Sequence, residues 1–256
     1  MLAYRHAFHA GNHADVLKHI VLIQVLAYMN QKDKPYWVID THAGLGFYHL
    51  TSKEAERTGE WQSGIGRLLA AELPIEIADL LSSYREAVDR VRSFHGDDVY
   101  PGSPEIARGL LRGEDRLILV EKHPEDARQA KENFAFDGRV KLLERDAYEA
   151  LNAVLPPKER RGLILIDPPY EERDEFARLV DLIKRAHRKW ETGIYAIWYR
   201  EFKVFLNERS RIVSAIFLPL FWYFIFGRGL GTITTTGGNY QHFIFPGFLA
   251  MTIIFS

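Results

Sequence analysis

The chain has 256 residues and no cysteine, which excludes a disulfide framework, a thiolate metal site and a thiol nucleophile. It has almost no excess charge: 33 Lys and Arg stand against 34 Asp and Glu, for a formal net charge of -1. Any nucleic-acid contact must then come from local patches, because no global positive field exists to supply it. The N-terminus has no apolar signal-peptide core. The Gly44-Leu45-Gly46 pair lacks the full dinucleotide spacing, and no Gly-Lys-Ser/Thr follows it. Nicotinamide cofactors and nucleoside triphosphates are therefore disfavoured. What the chain does have is 47% hydrophobic residues, enough for one α/β domain of roughly 200 residues and a further segment.

Short apolar runs alternate with helical periodicity. Tyr36 to Asp40, Arg116 to Glu121, Val140 to Glu144, Leu163 to Ile166 and Gly193 to Tyr199 read as strands. Asn12 or Asp15 is placed to cap a helix through Val16, His19, Ile23 and Leu26. Further helices are expected over Pro124 to Phe136 and near Asp174 to Trp190. Residues 47–112 read as a mainly helical insertion that ends in a turn at Tyr100-Pro101-Gly102-Ser103-Pro104. This alternation predicts an α/β fold with a Rossmann-like, doubly wound parallel sheet.

Four strand ends carry polar residues in order: Asp40 with His42, Glu121, Asp146 and Asp167. The carboxyl edge of an open parallel sheet is where ligands bind, and an acid after the second strand suits ribose hydroxyls. Asp167 heads Asp167-Pro168-Pro169-Tyr170, behind the apolar run Leu163 to Ile166. Prolines cannot donate to a ladder, so they stop the strand and stiffen the turn. An adenine N6 lone pair is delocalised into its ring. A carboxylate and a backbone carbonyl accepting its two hydrogens would draw that nitrogen toward attacking geometry, and Tyr170 would stack on the base. A strand end with a stiff turn and no chemistry is the plainer reading of the tetrapeptide alone. His6, His9, His13 and His19 resemble a ligand set on paper, but no cysteine or nearby carboxylate cluster supports a metal, and none is expected.

Asp-Pro-Pro-Tyr resembles the motif of amino-group methyltransferases acting on adenine. Tyr4-Arg5-His6, the run Gly11 to His19, Asp40 to Gly44, Ala55 to Glu60, Tyr100 to Pro104 and Arg160 to Tyr170 are together similar to the bacterial 23S rRNA (adenine 2030-N6) methyltransferases. The resemblance covers residues 1–199. It implies an S-adenosylmethionine-dependent enzyme acting on protein-free or partly assembled 23S rRNA in the cytoplasm. By position it places cofactor contacts on His19, His42, Ser103, Glu121, Asp146, Ala147 and Asp167, with Asp167 also the catalytic acceptor. Tyr4 would approach the base, with His6 and Lys18 near it. Ala147 departs from the family, which has glycine there. The tetrapeptide by itself does not separate rRNA from DNA.

Composition changes after Tyr199. Ile212 to Phe226 is a fifteen-residue run without charge, flanked by Arg209, Arg211 and Arg228. Residues 200–256 resemble the start of an ABC-2 type transporter permease. The expectation is a methyltransferase domain over 1–199, its sheet incomplete after the fifth strand, and an unrelated apolar tail over 200–256 able to associate with a membrane. An inactive fusion is the further alternative.

Overall fold

Apolar strand residues divide between two faces, because successive side chains of a strand point to opposite sides. The computed structural model describes residues 5–170 and 174–198. Its central sheet has five parallel strands: β1 (Trp37–Asp40), β4 (Arg116–Glu121), β5 (Val140–Glu144), β6 (Gly162–Ile166) and β7 (Ile194–Ile197). Between β1 and β4 come β2 (Phe47–His49) and β3 (Val99–Pro101). The order across the large sheet is β5-β4-β1-β6-β7, so the chain reverses direction across the sheet beside β1.

The helices are α1 (His13–Asn30), α2 (Lys53–Thr58), α3 (Arg67–Ala70), α4 (Ile75–His95), α5 (Ser103–Leu110), α6 (Pro124–Asn133), α7 (Ala147–Val154) and α8 (Glu175–Lys189). Val38, Leu117, Leu119, Leu163 and Leu165 face one way, into a core with Leu22, Ile23 and Leu26 of α1, Tyr84 of α4 and Ile106 of α5. Their neighbours Ile39, Ile118, Val120, Ile164 and Ile166 face the other way, against Leu151 of α7 and Leu179, Leu182 and Ala186 of α8. All five residues of β6 are buried, as expected of a parallel strand covered on both faces. Gly162 begins β6 because a Cβ there would lie 2.2 Å from the Trp190 ring and 2.3 Å from the Trp37 carbonyl.

The insertion corrects one expectation. Residues 47–112 are not purely helical: β2 and β3 pair antiparallel, with Phe47 opposite Pro101 and Tyr48 opposite Tyr100. Tyr100 and Pro101 are therefore strand, not turn, and Ser103 already opens α5. Pro101 is tolerated because it ends a strand in a two-stranded ribbon, where few ladder bonds are lost. α6 also stops at Asn133, short of Phe136.

Arg161 donates to the carbonyls of Met29 and Lys34 and ties the entry of β6 to the end of α1. Residues 199–256, with the permease-like runs and the expected apolar tail, lie outside the described residues, as does Tyr4. Among the described residues no helix is long and apolar enough to cross a membrane.

Candidate active site

Read across the sheet, the strand ends present Asp146 after β5, Glu121 on β4, Asp40 at the end of β1 with His42 after it, and Asp167 after β6. Asp146, Glu121, His42 and Asp167 line one cleft, with His6 and Ala147 beside them. The neighbours brought together here come from five different segments of the chain, and the parallel sheet sets their order.

Glu121 is held at both oxygens. Gly44 donates its N–H to Oε2 at 2.8 Å, and His123 donates its N–H to Oε1 at 2.8 Å. Each oxygen keeps a further lone pair for a ligand hydroxyl. Burial raises the carboxyl above its ordinary range, against the pull of these two donors. Gly44 needs its φ of +65°, and a Cβ there would meet the Tyr48 hydroxyl at 2.0 Å. Asp146 caps α7 by accepting from the Tyr148 N–H at 2.9 Å, and its other oxygen lies 3.0 Å from Lys122 Nζ. Burial raises Asp146, but Lys122 and the Tyr148 N–H outweigh it and hold it below the ordinary value.

Asp40 is buried and accepts from the Ser103 hydroxyl at 2.7 Å. Burial pushes its carboxyl up to about 6 despite that bond. His42 is pushed down to about 4 by burial, although Asp167 and Asp146 act the other way, so its ring is neutral near pH 7.

Asp167 is anchored from α1. The Asn12 side chain accepts from the Asp15 N–H at 2.9 Å and starts the helix. One turn on, Lys18 shares a face with Asp15, and its Nζ lies 2.7 Å from Asp15 Oδ1 and 2.7 Å from Asp167 Oδ2. Asp15 Oδ2 meets His6 Nε2 at 2.9 Å and accepts from the Gly11 N–H at 3.1 Å. Burial works against both charges, yet Asp15 lies well below the carboxylate range because of His6, Lys18 and His19. Lys18 likewise lies well above the usual lysine value because of Asp15 and Asp167.

The family model described as ribosomal RNA large subunit methyltransferase D, RlmJ, matches residues 33–214. The chain belongs to the RlmJ family of ribosomal RNA large subunit methyltransferases. Two relatives, each named ribosomal RNA large subunit methyltransferase J, come from Haemophilus influenzae and Escherichia coli. The first is 46% identical over 202 residues, covering 78% of this chain and 70% of the relative. The second is 47% identical over 200 residues, with the same coverages of 78% and 70%. A crystal structure of a Legionella pneumophila protein superposes with a TM-score of 0.67 at 37% identity, covering 80% of this chain and 77% of its own. The family match runs past Tyr199 to residue 214, and these relatives lend no support to a permease resemblance or a membrane association.

Within this methyltransferase, not every residue singled out by sequence reaches the cleft. His6, His42, Glu121, Asp146, Ala147 and Asp167 line it. Lys18 stands behind Asp167. Ser103 stands behind Asp40. His19 is fully buried, its Nδ1 2.9 Å from the Tyr100 hydroxyl. Tyr170 packs against the Ile39 face of the sheet, and its hydroxyl donates to the Trp198 carbonyl at 3.1 Å. It is the one non-glycine residue with positive φ among the described residues, at 54°, a conformation that costs energy and concentrates at functional sites. Pro169 takes the cleft-facing position.

Sequence reasoning missed Tyr148 and Arg178. The Arg178 guanidinium lies 4.4 Å over the Tyr148 ring, and both line the cleft. Neither carried a signal, since one sits in an ordinary helix start and the other on an amphipathic helix. Among the described residues no group of three His, Asp or Glu side chains is placed to hold a metal ion.

Proposed function

We propose that this chain transfers a methyl group from S-adenosylmethionine to the N6 amine of an adenine in 23S rRNA. Family membership supports the class of reaction, and one observation supports the chemistry: Asp167 opens onto the cleft with Oδ2 fixed on Lys18. That leaves Oδ1 to accept one N6 hydrogen, while the Pro168 carbonyl is the candidate acceptor for the other.

The residues present fit the cofactor. Glu121, with backbone donors behind it, suits the ribose diol, and Asp146 suits the adenine amino group. With that assignment, the strand order would put the amino-acid end beside β1, next to His42, with Asp167 on the far side of it. When bound, S-adenosylmethionine supplies an activated methyl group. Asp167 would hold the amine so that its lone pair points along the line of attack; the N–CH3 bond forms as the S–CH3 bond breaks, the thioether S-adenosylhomocysteine leaves, and the N6 proton passes to solvent during or after transfer. Lys18 holds Asp167 in place. His6 and Tyr4 are assigned to the substrate side, and Tyr170 would stack on the base only by leaving its packing on the Ile39 face. His19 and Ser103 support the cofactor side through α1 and Asp40. Residues 1–199 are taken as the methyltransferase domain, with 200–256 outside it. Protein-free or partly assembled rRNA in the cytoplasm is the proposed substrate, because the target base must be reachable.

Single-turnover transfer of labelled methyl to unmodified 23S rRNA and to DNA tests the reading. Label on one adenine of the rRNA, and little on DNA, is expected. Equal labelling of DNA would favour a DNA adenine methyltransferase, and no transfer to either would favour an inactive fusion.

A further inference from the structure

Three hydrogen-bonding atoms beside the cleft fix a proton that the fold alone leaves open. Thr41 Oγ1 lies 2.9 Å from the carbonyl oxygen of Leu165 and 2.8 Å from Nδ1 of His42. Thr41 is 2% exposed, so water does not rearrange these bonds. The Leu165 carbonyl already accepts from the Thr41 N–H at 3.0 Å, but a carbonyl only accepts, so the 2.9 Å contact between its oxygen and Oγ1 places the single hydroxyl proton on that line. The alternative, with the hydroxyl donating to Nδ1, would leave two buried oxygens facing each other with no proton between them, a costly arrangement. The remaining lone pair of Oγ1 must then receive a proton from Nδ1–H.

We infer that Thr41 is a positioning residue that locks His42 as its Nδ1–H tautomer, turning Nε2 into a hydrogen-bond acceptor for the α-ammonium of the methyl donor. Nδ1 is turned to Thr41, so Nε2 lies on the far side of a ring that lines the cleft. The ring's neutrality at working pH is consistent with this role. The ligand half rests on the cofactor reading above. With the ribose on Glu121 and the base toward Asp146, the next strand across is β1, where the amino-acid end falls. Asp167 and Asp146 act on His42 through their charge and Lys18 and Lys122 act against them, so the preference for an ammonium rests on the direction of the Nε2 lone pair.

Nitrogen-15 correlation spectra of the histidine-labelled chain test the tautomer without any ligand. Wild type should show a protonated Nδ1 and a bare Nε2 at His42, Thr41→Ser should keep that pattern, and Thr41→Val should lose it. A protonated Nε2 in the free wild-type chain would overturn the proposal. Calorimetry with S-adenosylmethionine and with its analogue lacking the α-amino group tests the ligand. Removing the amino group should weaken binding to wild type and Thr41→Ser by about tenfold, the worth of one good hydrogen bond, and should weaken Thr41→Val much less. The KM for S-adenosylmethionine should rise in Thr41→Val by more than kcat falls. An equal loss in all three proteins would overturn the ammonium assignment. Failure of wild type to bind S-adenosylmethionine would overturn the cofactor reading and the ammonium assignment together, whereas a wrong tautomer in the free chain overturns this proposal alone.

Discussion

Lys18 Nζ lies 2.7 Å from Asp167 Oδ2 across a sequence separation of 149 residues, joining the first turns of α1 to the turn after β6. The Lys18 side chain is 5% exposed and that of Asp167 19%, so the ammonium is buried while the carboxylate keeps an open side. The arrangement sets the direction of the carboxylate before any substrate arrives.

Asp167→Ala should lower single-turnover methyl transfer by at least about a hundredfold, the scale for removing a preorganised polar group from a reacting centre. Circular dichroism and cofactor calorimetry should show a folded chain. Turnover near that of wild type would remove Asp167 from the mechanism.

Lys18→Met should destabilise the fold by roughly 3 kcal/mol, because it takes the nearest cation from a buried carboxylate that His6 and the Gly11 N–H compensate only in part. The charge left behind is Asp15, whose side chain is 2% exposed. Urea unfolding of Lys18→Met, Asp15→Asn and the double variant checks this, and the double variant should lose much less than the sum of the singles. Strict additivity would mean that the two residues do not act as a pair.

Glu121→Gln should weaken S-adenosylmethionine binding by about tenfold or more in calorimetry. The amide places its NH2, which only donates, where the carboxylate now accepts from Gly44 or His123, so one backbone donor loses its partner. Unchanged affinity would take Glu121 out of the cofactor site.

Acid should destabilise the protein through its buried histidines. Burial lowers His19 from 6.5 to about 3, so between those values the unfolded chain binds a proton that the native chain refuses. Stability present above pH 6.5 is lost as pH falls toward 3, at roughly 1.4 kcal/mol per pH unit for that proton. His42, lowered to about 4, adds to the loss. Asp40, raised to about 6, works the other way, since its native form takes up a proton first. The diagnostic is the difference between wild type and His19→Gln in denaturant unfolding across this range. The variant should show the shallower dependence, and parallel curves would contradict the assignment.

The sequence by itself determined the five parallel strands and the acid at each strand end, and it narrowed the cap of α1 to Asn12 or Asp15. These are local facts: buried strands are short continuous apolar runs, caps are single side chains, and a strand end is marked by the proline or small residue after it. Tertiary structure alone decided the rest. Three-residue strands such as β2 and β3 are too short to show a period, so their pairing emerged only when Phe47 met Pro101. His19 and Ser103 looked like contacts to a ligand and stand behind the cleft, because which face of a helix meets the sheet depends on packing across the whole core. The Arg178 stack on Tyr148 and the Asp15–Lys18–Asp167 chain join segments far apart in sequence. Thr41 reads as an ordinary residue beside a strand end until its hydroxyl is seen between a carbonyl and an imidazole, because the direction of a proton is set by partners the linear chain does not place side by side.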